Sequence, residues 1–166
     1  MLTAITGCSM TETNEPRTSQ EVKTRSVEEV KADTKDVSSE VLNLIAVRGE
    51  VSEPGPGVAV CEGRDRDKFF RMIHPWTLTA PTGNELERAM ERLKEELPKR
   101  GWKIVEYGRN SSRAKTLELT ADHTGKEFSV NVEFWAESGE KRKPMLVVNV
   151  VSACYSTRGG ERVREY

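Results

Sequence analysis

The sequence predicts an α+β fold, a two-layer sandwich in which a four-stranded antiparallel meander carries one or two helices packed on one face. One observation is an amphipathic helix with clear terminal signals between residues 84 and 101. The others are strands of alternating apolar and polar residues, and the turn-forming residues that separate them. With 166 residues, of which 36% are apolar, the chain has material for one such domain and additional segments.

The best-defined helix is predicted to begin at Asn84 and to end at Pro98 and Gly101. Acidic residues come early in it and basic residues late, as the helix dipole favours. Its apolar residues recur at three- and four-residue spacing, which places them on one stripe: Leu86, Ala89, Met90, Leu93 and Leu97.

A second helix is predicted upstream, over residues 27–47. Ser26 and Glu29 have the spacing of a capping box, and an apolar stripe follows them. We expect this stripe to pack on the downstream sheet; the alternative is a coiled coil that binds a partner. The Pro- and Gly-rich stretch 53–57 then forms a linker.

The strands are predicted from alternating patterns and from the turns between them. Residues 58–61 and 69–78 form the first two, and Pro75 predicts that the end of the second lies at a sheet edge. The meander itself consists of residues 102–107, 115–121, 127–136 and 145–154.

These elements divide the chain into four parts. Residues 1–25 are expected to be a truncated signal remnant and a flexible tether, and residues 26–57 the amphipathic helix with its linker. Residues 58–155 form the α+β domain, and residues 156–166 a polar tail.

The N-terminal tetrapeptide Ile5-Thr6-Gly7-Cys8 resembles the bacterial lipobox, and the overall plan resembles that of small lipoproteins of Actinobacteria. The resemblance implies that Cys8 is lipidated and becomes the first residue of the mature protein. It also implies a polar tether after Cys8 and a domain anchored to the outer face of the cell membrane. On this interpretation the export signal begins upstream of Met1.

Cys61 and Cys154 are the two cysteines inside the predicted domain, both on strands. In an exported chain such residues usually form a disulfide. The alternative is two buried free thiols in a cytosolic protein.

Composition and motifs favour binding over catalysis. The 26 basic and 27 acidic residues balance, which argues against nucleic-acid binding. The cysteine and histidine spacing fits no zinc site, and no nucleotide-binding or hydrolase motif occurs, so we expect no metal, cofactor or catalytic residue. Two alternatives stay open: an envelope thiol enzyme or hydrolase that uses Cys61 and His74, and a cytosolic protein-interaction module.

A ligand surface is expected to involve Trp135, His74 and Trp76. Trp135 is out of phase with the buried residues of its strand, so it points to the opposite face of the sheet. There it is either covered by the upstream segment or available to an unknown protein or small ligand. His123 is predicted to be a solvated turn residue.

A basic group is a further candidate site. Arg109, Arg113 and Lys115, together with Tyr107, form either a small anion-binding patch or a solvated sheet edge.

Overall fold

The computed structural model describes residues 21–52, 54–139, 142–159 and 161–163. Cys8 and the lipobox-like tetrapeptide lie outside these residues. The described elements are α1 (Val27–Ile45), β1 (Glu50–Val51), β2 (Gly57–Ala59), β3 (Phe69–Thr79), α2 (Gly83–Glu96), a 3-10 turn (Pro98–Arg100), β4 (Lys103–Arg109), β5 (Leu117–His123), β6 (Phe128–Trp135), β7 (Met145–Ser152) and β8 (Tyr155–Ser156).

The strands form one antiparallel sheet, which confirms the α+β class. Its order is β1-β3-β7-β6-β5-β4, and β2 and β8 also pair with β3. The four strands of the predicted meander are therefore adjacent, but the sheet has eight strands among the described residues, so the prediction of a four-stranded sheet was too small. The additional strands join because β3 pairs along its length with β7, about 70 residues later in the chain. No turn signal in the sequence predicts that two strands so far apart in the chain pair with each other.

Pro75 lies inside the sheet, which corrects the prediction of an edge position. It pairs with Asn149 of β7 on one side. On the other side β1 pairs only with residues 78–79 and β2 only with residues 71–73. Pro75 therefore lies between the parts of β3 that pair with β1 and with β2. No described strand pairs with Pro75 on that side, so its lack of an N–H costs no hydrogen bond between strands.

Both helices share one apolar core with the sheet. α1 contributes the later part of the apolar stripe that the sequence predicted, Val37, Val41, Leu44 and Ile45, and α2 contributes Leu86, Ala89, Met90 and Leu93. The sheet contributes alternate residues of β3, β5, β6 and β7, such as Trp76, Val130 and Val148. Alternate residues of the same strands lie on the opposite face, and the described residues include no helix on that face.

The helix starts match the sequence in one case and differ in the other. Ser26 and Glu29 form the predicted capping box of α1. In α2 the N-cap is Thr82, whose backbone is extended, and Asn84 lies in the first turn. The prediction of Asn84 as the cap was therefore wrong, and its side chain is exposed to solvent instead.

A smaller core joins the two ends of the described chain. It consists of Val30, Phe70, Met72, Tyr155 and Val163. Beside it, the backbone of Ser156 exchanges hydrogen bonds with the backbones of Lys23 and Arg25. The segment that precedes α1 therefore enters the domain at β8.

Candidate ligand-binding site

Cys61 and Cys154 form a disulfide, as predicted, with their Cα atoms 6.0 Å apart. Cys61 follows β2 and is buried, and Cys154 lies between β7 and β8. β2 and β8 both pair with the first residues of β3. The disulfide therefore links the two chain segments that lie beside the start of that strand.

A β-bulge positions Cys154. Between the pairs Ile73–Val151 and Phe70–Tyr155, two residues of β3 face three residues of the neighbouring chain. At the bulge, the N–H of Met72 donates a hydrogen bond of 2.8 Å to Oγ of Ser152. This side-chain bond takes the place of a backbone bond between the strands.

His74 contacts a serine and not Cys61. Its Nδ1 atom is 2.7 Å from Oγ of Ser38, in a hydrogen bond that joins β3 to α1. Partial burial lowers the pKa of His74, and the nearby charge of Lys35 lowers it further. With its sulfur in the disulfide, Cys61 has no free thiol, and the structure does not assemble the Cys61–His74 pair considered from the sequence.

The three residues expected on one ligand surface lie apart. Trp76 is 4% exposed and belongs to the main core. Trp135 is 38% exposed. It pairs with Met145, which in turn pairs with Thr79 of β3, so these side chains lie on one face of the sheet. Trp76 and His74 are an odd number of residues from Thr79 on β3, which places them on the opposite face. Of the three, Trp135 alone is exposed enough to meet a large ligand.

His123 packs more closely than a solvated turn residue. Its ring meets Trp102 edge-on, with the centroids 5.3 Å apart, and its Nδ1 accepts a hydrogen bond of 3.0 Å from the N–H of Lys126. Its role is therefore to fix the end of β5 against the core.

Trp135 lies in a cleft of about 740 Å³ at one end of the sheet. One wall is the β4–β5 hairpin, residues 109–116, and the other is the end of β6 with the loop that follows it, residues 133–138 and Arg142. The start of α2, residues 83–87, completes it. We call this the Trp135 cleft. Its volume lies in the usual range for small-molecule sites.

The indole of Trp135 is held in a fixed orientation. Its Nε1 donates a hydrogen bond of 2.7 Å to Oε2 of Glu133, two residues earlier on the same strand face. The guanidinium carbon of Arg142 lies 5.5 Å from the ring centroid, and Arg142 is itself bonded to the carbonyl oxygen of Ala136. A side chain fixed before binding loses little conformational entropy when a ligand contacts it.

The structure divides the predicted basic patch. Arg109 and Lys115 line the Trp135 cleft, and Arg109 donates a hydrogen bond of 3.0 Å to the carbonyl oxygen of Lys115. Tyr107 instead faces α2, where its hydroxyl donates a hydrogen bond of 2.7 Å to Glu91. Burial raises the pKa of Tyr107, and the Glu91 carboxylate raises it further.

The charged side chains of the Trp135 cleft balance one another. Among the described residues that line it, three are cationic and three are anionic: Arg109, Lys115 and Arg142, and Glu87, Glu133 and Glu137. Sequence reasoning singled out Trp135 but missed Glu133 and Arg142. The spacing of two residues would have placed Glu133 beside Trp135, whereas Arg142 comes from a loop for which the sequence gives no position.

The described part of the chain contains no group of three or more metal-ligating side chains. None of its helices has the length and apolar character needed to cross a bilayer.

The fold and its disulfide define a disulfide-linked α+β domain with a sheet face that no described helix covers and an aromatic cleft at one end. No protein family model, curated protein or solved structure matches the chain.

Proposed function

We propose that the chain is a lipid-anchored, non-enzymatic binding protein of the bacterial cell envelope. The lipid is attached at Cys8, residues 9–22 link it to the domain, and the Trp135 cleft receives the ligand or partner.

The observation that carries this proposal is the separation between the cleft and the N-terminal entry to the domain. The backbone of Lys23 joins the sheet at Ser156, in β8. Trp135 pairs with Met145, which lies opposite Thr79 at the end of β3, whereas Ser156 lies opposite Phe69 at its start. The ten residue steps from Phe69 to Thr79 span about 33 Å at roughly 3.3 Å per residue. A domain anchored through its N-terminal segment would thus hold its cleft away from the membrane.

The disulfide supports the proposed location outside the cytoplasm. Disulfides persist in oxidising compartments outside the cytoplasm and are rare inside it. The Cys61–Cys154 bridge therefore fits an exported domain, as does the lipobox-like sequence before it.

The contacts of the candidate catalytic groups support binding over catalysis. Cys61 is oxidised, and His74 bonds to Ser38 on the face of the sheet opposite to Trp135. Within the Trp135 cleft, Glu133 is hydrogen-bonded to the indole that it orients.

Metabolic labelling tests the anchor. Cells that express the protein from its genomic locus are grown with an alkyne analogue of palmitate, and wild type is compared with Cys8→Ala. We expect label in wild type alone. Equal labelling of the two proteins would overturn lipidation at Cys8.

Site-specific cross-linking in cells tests the cleft. A photoreactive amino acid replaces Ser138, which lines the cleft, or Val105, which is 57% exposed on edge strand β4 and serves as the control. We expect cross-linked species from position 138 that are absent from position 105. If position 105 gives the same species, or position 138 gives none, the cleft is not the binding site.

A further inference from the structure

We infer that the Trp135 cleft binds a neutral oligosaccharide. This inference rests on the proposed function, because it names the class of ligand for the same site. Three features of the cleft carry it: a fixed and exposed indole, a set of polar side chains that have no partner among the described residues, and the balance of charge.

The exposed indole provides a flat apolar surface. Sugar rings have one face formed mainly by C–H groups, which packs against the face of an aromatic ring. Trp135 is 38% exposed, and Glu133 and Arg142 hold its ring in place. Arg142 lies over one face of the ring, so a sugar would pack against the exposed part of the indole that Arg142 leaves open.

Around the indole, several polar side chains remain available for hydrogen bonds. Within the described residues, none of the following has a side-chain hydrogen bond or ion pair: Asn84, Lys115, Thr116, Glu137 and Ser138. They comprise an amide, two hydroxyls, an ammonium and a carboxylate, so donors and acceptors are both present. A ligand with many hydroxyl groups can use both kinds, because each hydroxyl donates and accepts.

The charge of the cleft selects against the main alternative ligands. A polyanion would meet three carboxylates as well as three cations, and a polycation would meet the reverse. A large apolar ligand would find Trp135 as its principal contact, since Phe134 packs partly into the core. An uncharged polar ligand with one apolar face satisfies the indole and the polar side chains together.

Isothermal titration calorimetry of the exported, disulfide-bonded protein tests the inference. The probes are cellotriose, maltotriose, chitotriose and mannotriose, with inorganic pyrophosphate as the anionic comparison. We expect at least one trisaccharide to bind with a Kd below about 10 mM, which corresponds to a weak single-site interaction. Pyrophosphate is expected to bind more weakly than that trisaccharide.

Two variants connect binding to the indole. Trp135→Ala should weaken the binding of that trisaccharide about 30-fold, the size typical of an aromatic contact that dominates a site. Val105→Ala truncates an exposed apolar side chain outside the cleft and should bind as wild type does. Thermal unfolding of both variants checks that each is folded.

Three outcomes would overturn the inference: no trisaccharide binds, Trp135→Ala binds as tightly as Val105→Ala, or pyrophosphate binds more tightly than every sugar. Cross-linking from position 138 distinguishes these failures from failure of the proposed function. A protein cross-linked at position 138 but not at position 105, with no sugar binding, would leave the cleft as a binding site and exclude the oligosaccharide.

Discussion

Nε of Arg92, in α2, donates a hydrogen bond of 3.2 Å to the carbonyl oxygen of Leu44, in the last turn of α1. The same guanidinium donates a second hydrogen bond to the carbonyl oxygen of Ile45. The last turn of α1 contains no basic residue of its own, so α2 supplies the positive charge that this helix end favours. One side chain thus joins the two helices and satisfies two carbonyl groups that have no partner within α1.

Replacing Arg92 with Met should therefore destabilise the fold. The change keeps most of the side chain's apolar length but removes both hydrogen bonds, at an expected cost of about 1–3 kcal/mol. Urea unfolding followed by circular dichroism measures it. Arg88→Met, one turn earlier on the exposed side of α2, is the matched control and should change stability by less than about 0.5 kcal/mol. Equal losses in the two variants would show that the Arg92 bonds contribute nothing specific.

Removing the disulfide should lower the free energy of unfolding by more than the Arg92 substitution does. The bridge links residues 93 positions apart. In the chain-entropy model, closing a loop of that length restricts the unfolded chain and stabilises the fold by up to about 4–5 kcal/mol. The double variant Cys61→Ala and Cys154→Ala should lower the free energy of unfolding accordingly, whereas Cys8→Ala should not. Intact mass with and without reductant checks the bridge in the wild type, and free thiols at Cys61 and Cys154 in protein isolated from cells would contradict it.

His74 should make stability depend on pH. Its pKa is lowered in the folded protein, so between that pKa and the value in the unfolded chain, about 6.5, the unfolded state binds more protons. Stability is then greatest above about pH 6.5 and falls as the pH decreases below it. We expect Lys35→Gln to reduce this fall, because the Lys35 charge is one cause of the shift.

Urea unfolding at pH 5.0 and pH 7.5 measures the effect, within a range where most carboxylates stay ionised. Lys31→Gln is the control, since Lys31 is not among the causes of the shift. If Lys35→Gln and Lys31→Gln show the same pH dependence as wild type, the Lys35 charge does not act on His74.

Gly101 should not tolerate a side chain. Its φ of +86° is in the left-handed region, and a Cβ atom there would lie 3.0 Å from Nε2 of His123. Gly101→Ala is expected to cost about 1–2 kcal/mol from the backbone alone. Gly159→Ala is the control, because nothing lies within 4 Å of a Cβ at that position. Thermal unfolding compares the two variants, and a Gly101→Ala protein as stable as wild type would contradict the left-handed conformation of Gly101.

Local patterns in the sequence predicted the secondary structure well. Ser26 and Glu29 form the capping box that their spacing indicated, and the apolar stripes of both helices face the core. The strands of the meander follow each other in the sheet because connections of no more than nine residues join them. In each case the signal lies within a few residues of the element that it specifies.

The sequence by itself determined the class of fold, the two helices, the meander, and Cys61 and Cys154 as candidate partners. Only the tertiary structure placed β3 beside β7 and separated Trp135 from Trp76 and His74. Those relationships join residues far apart in the chain, and hydrophobic burial and hydrogen-bond register decide them. The same holds for the Trp135 cleft, since the loops that enclose it meet only when the sheet has formed.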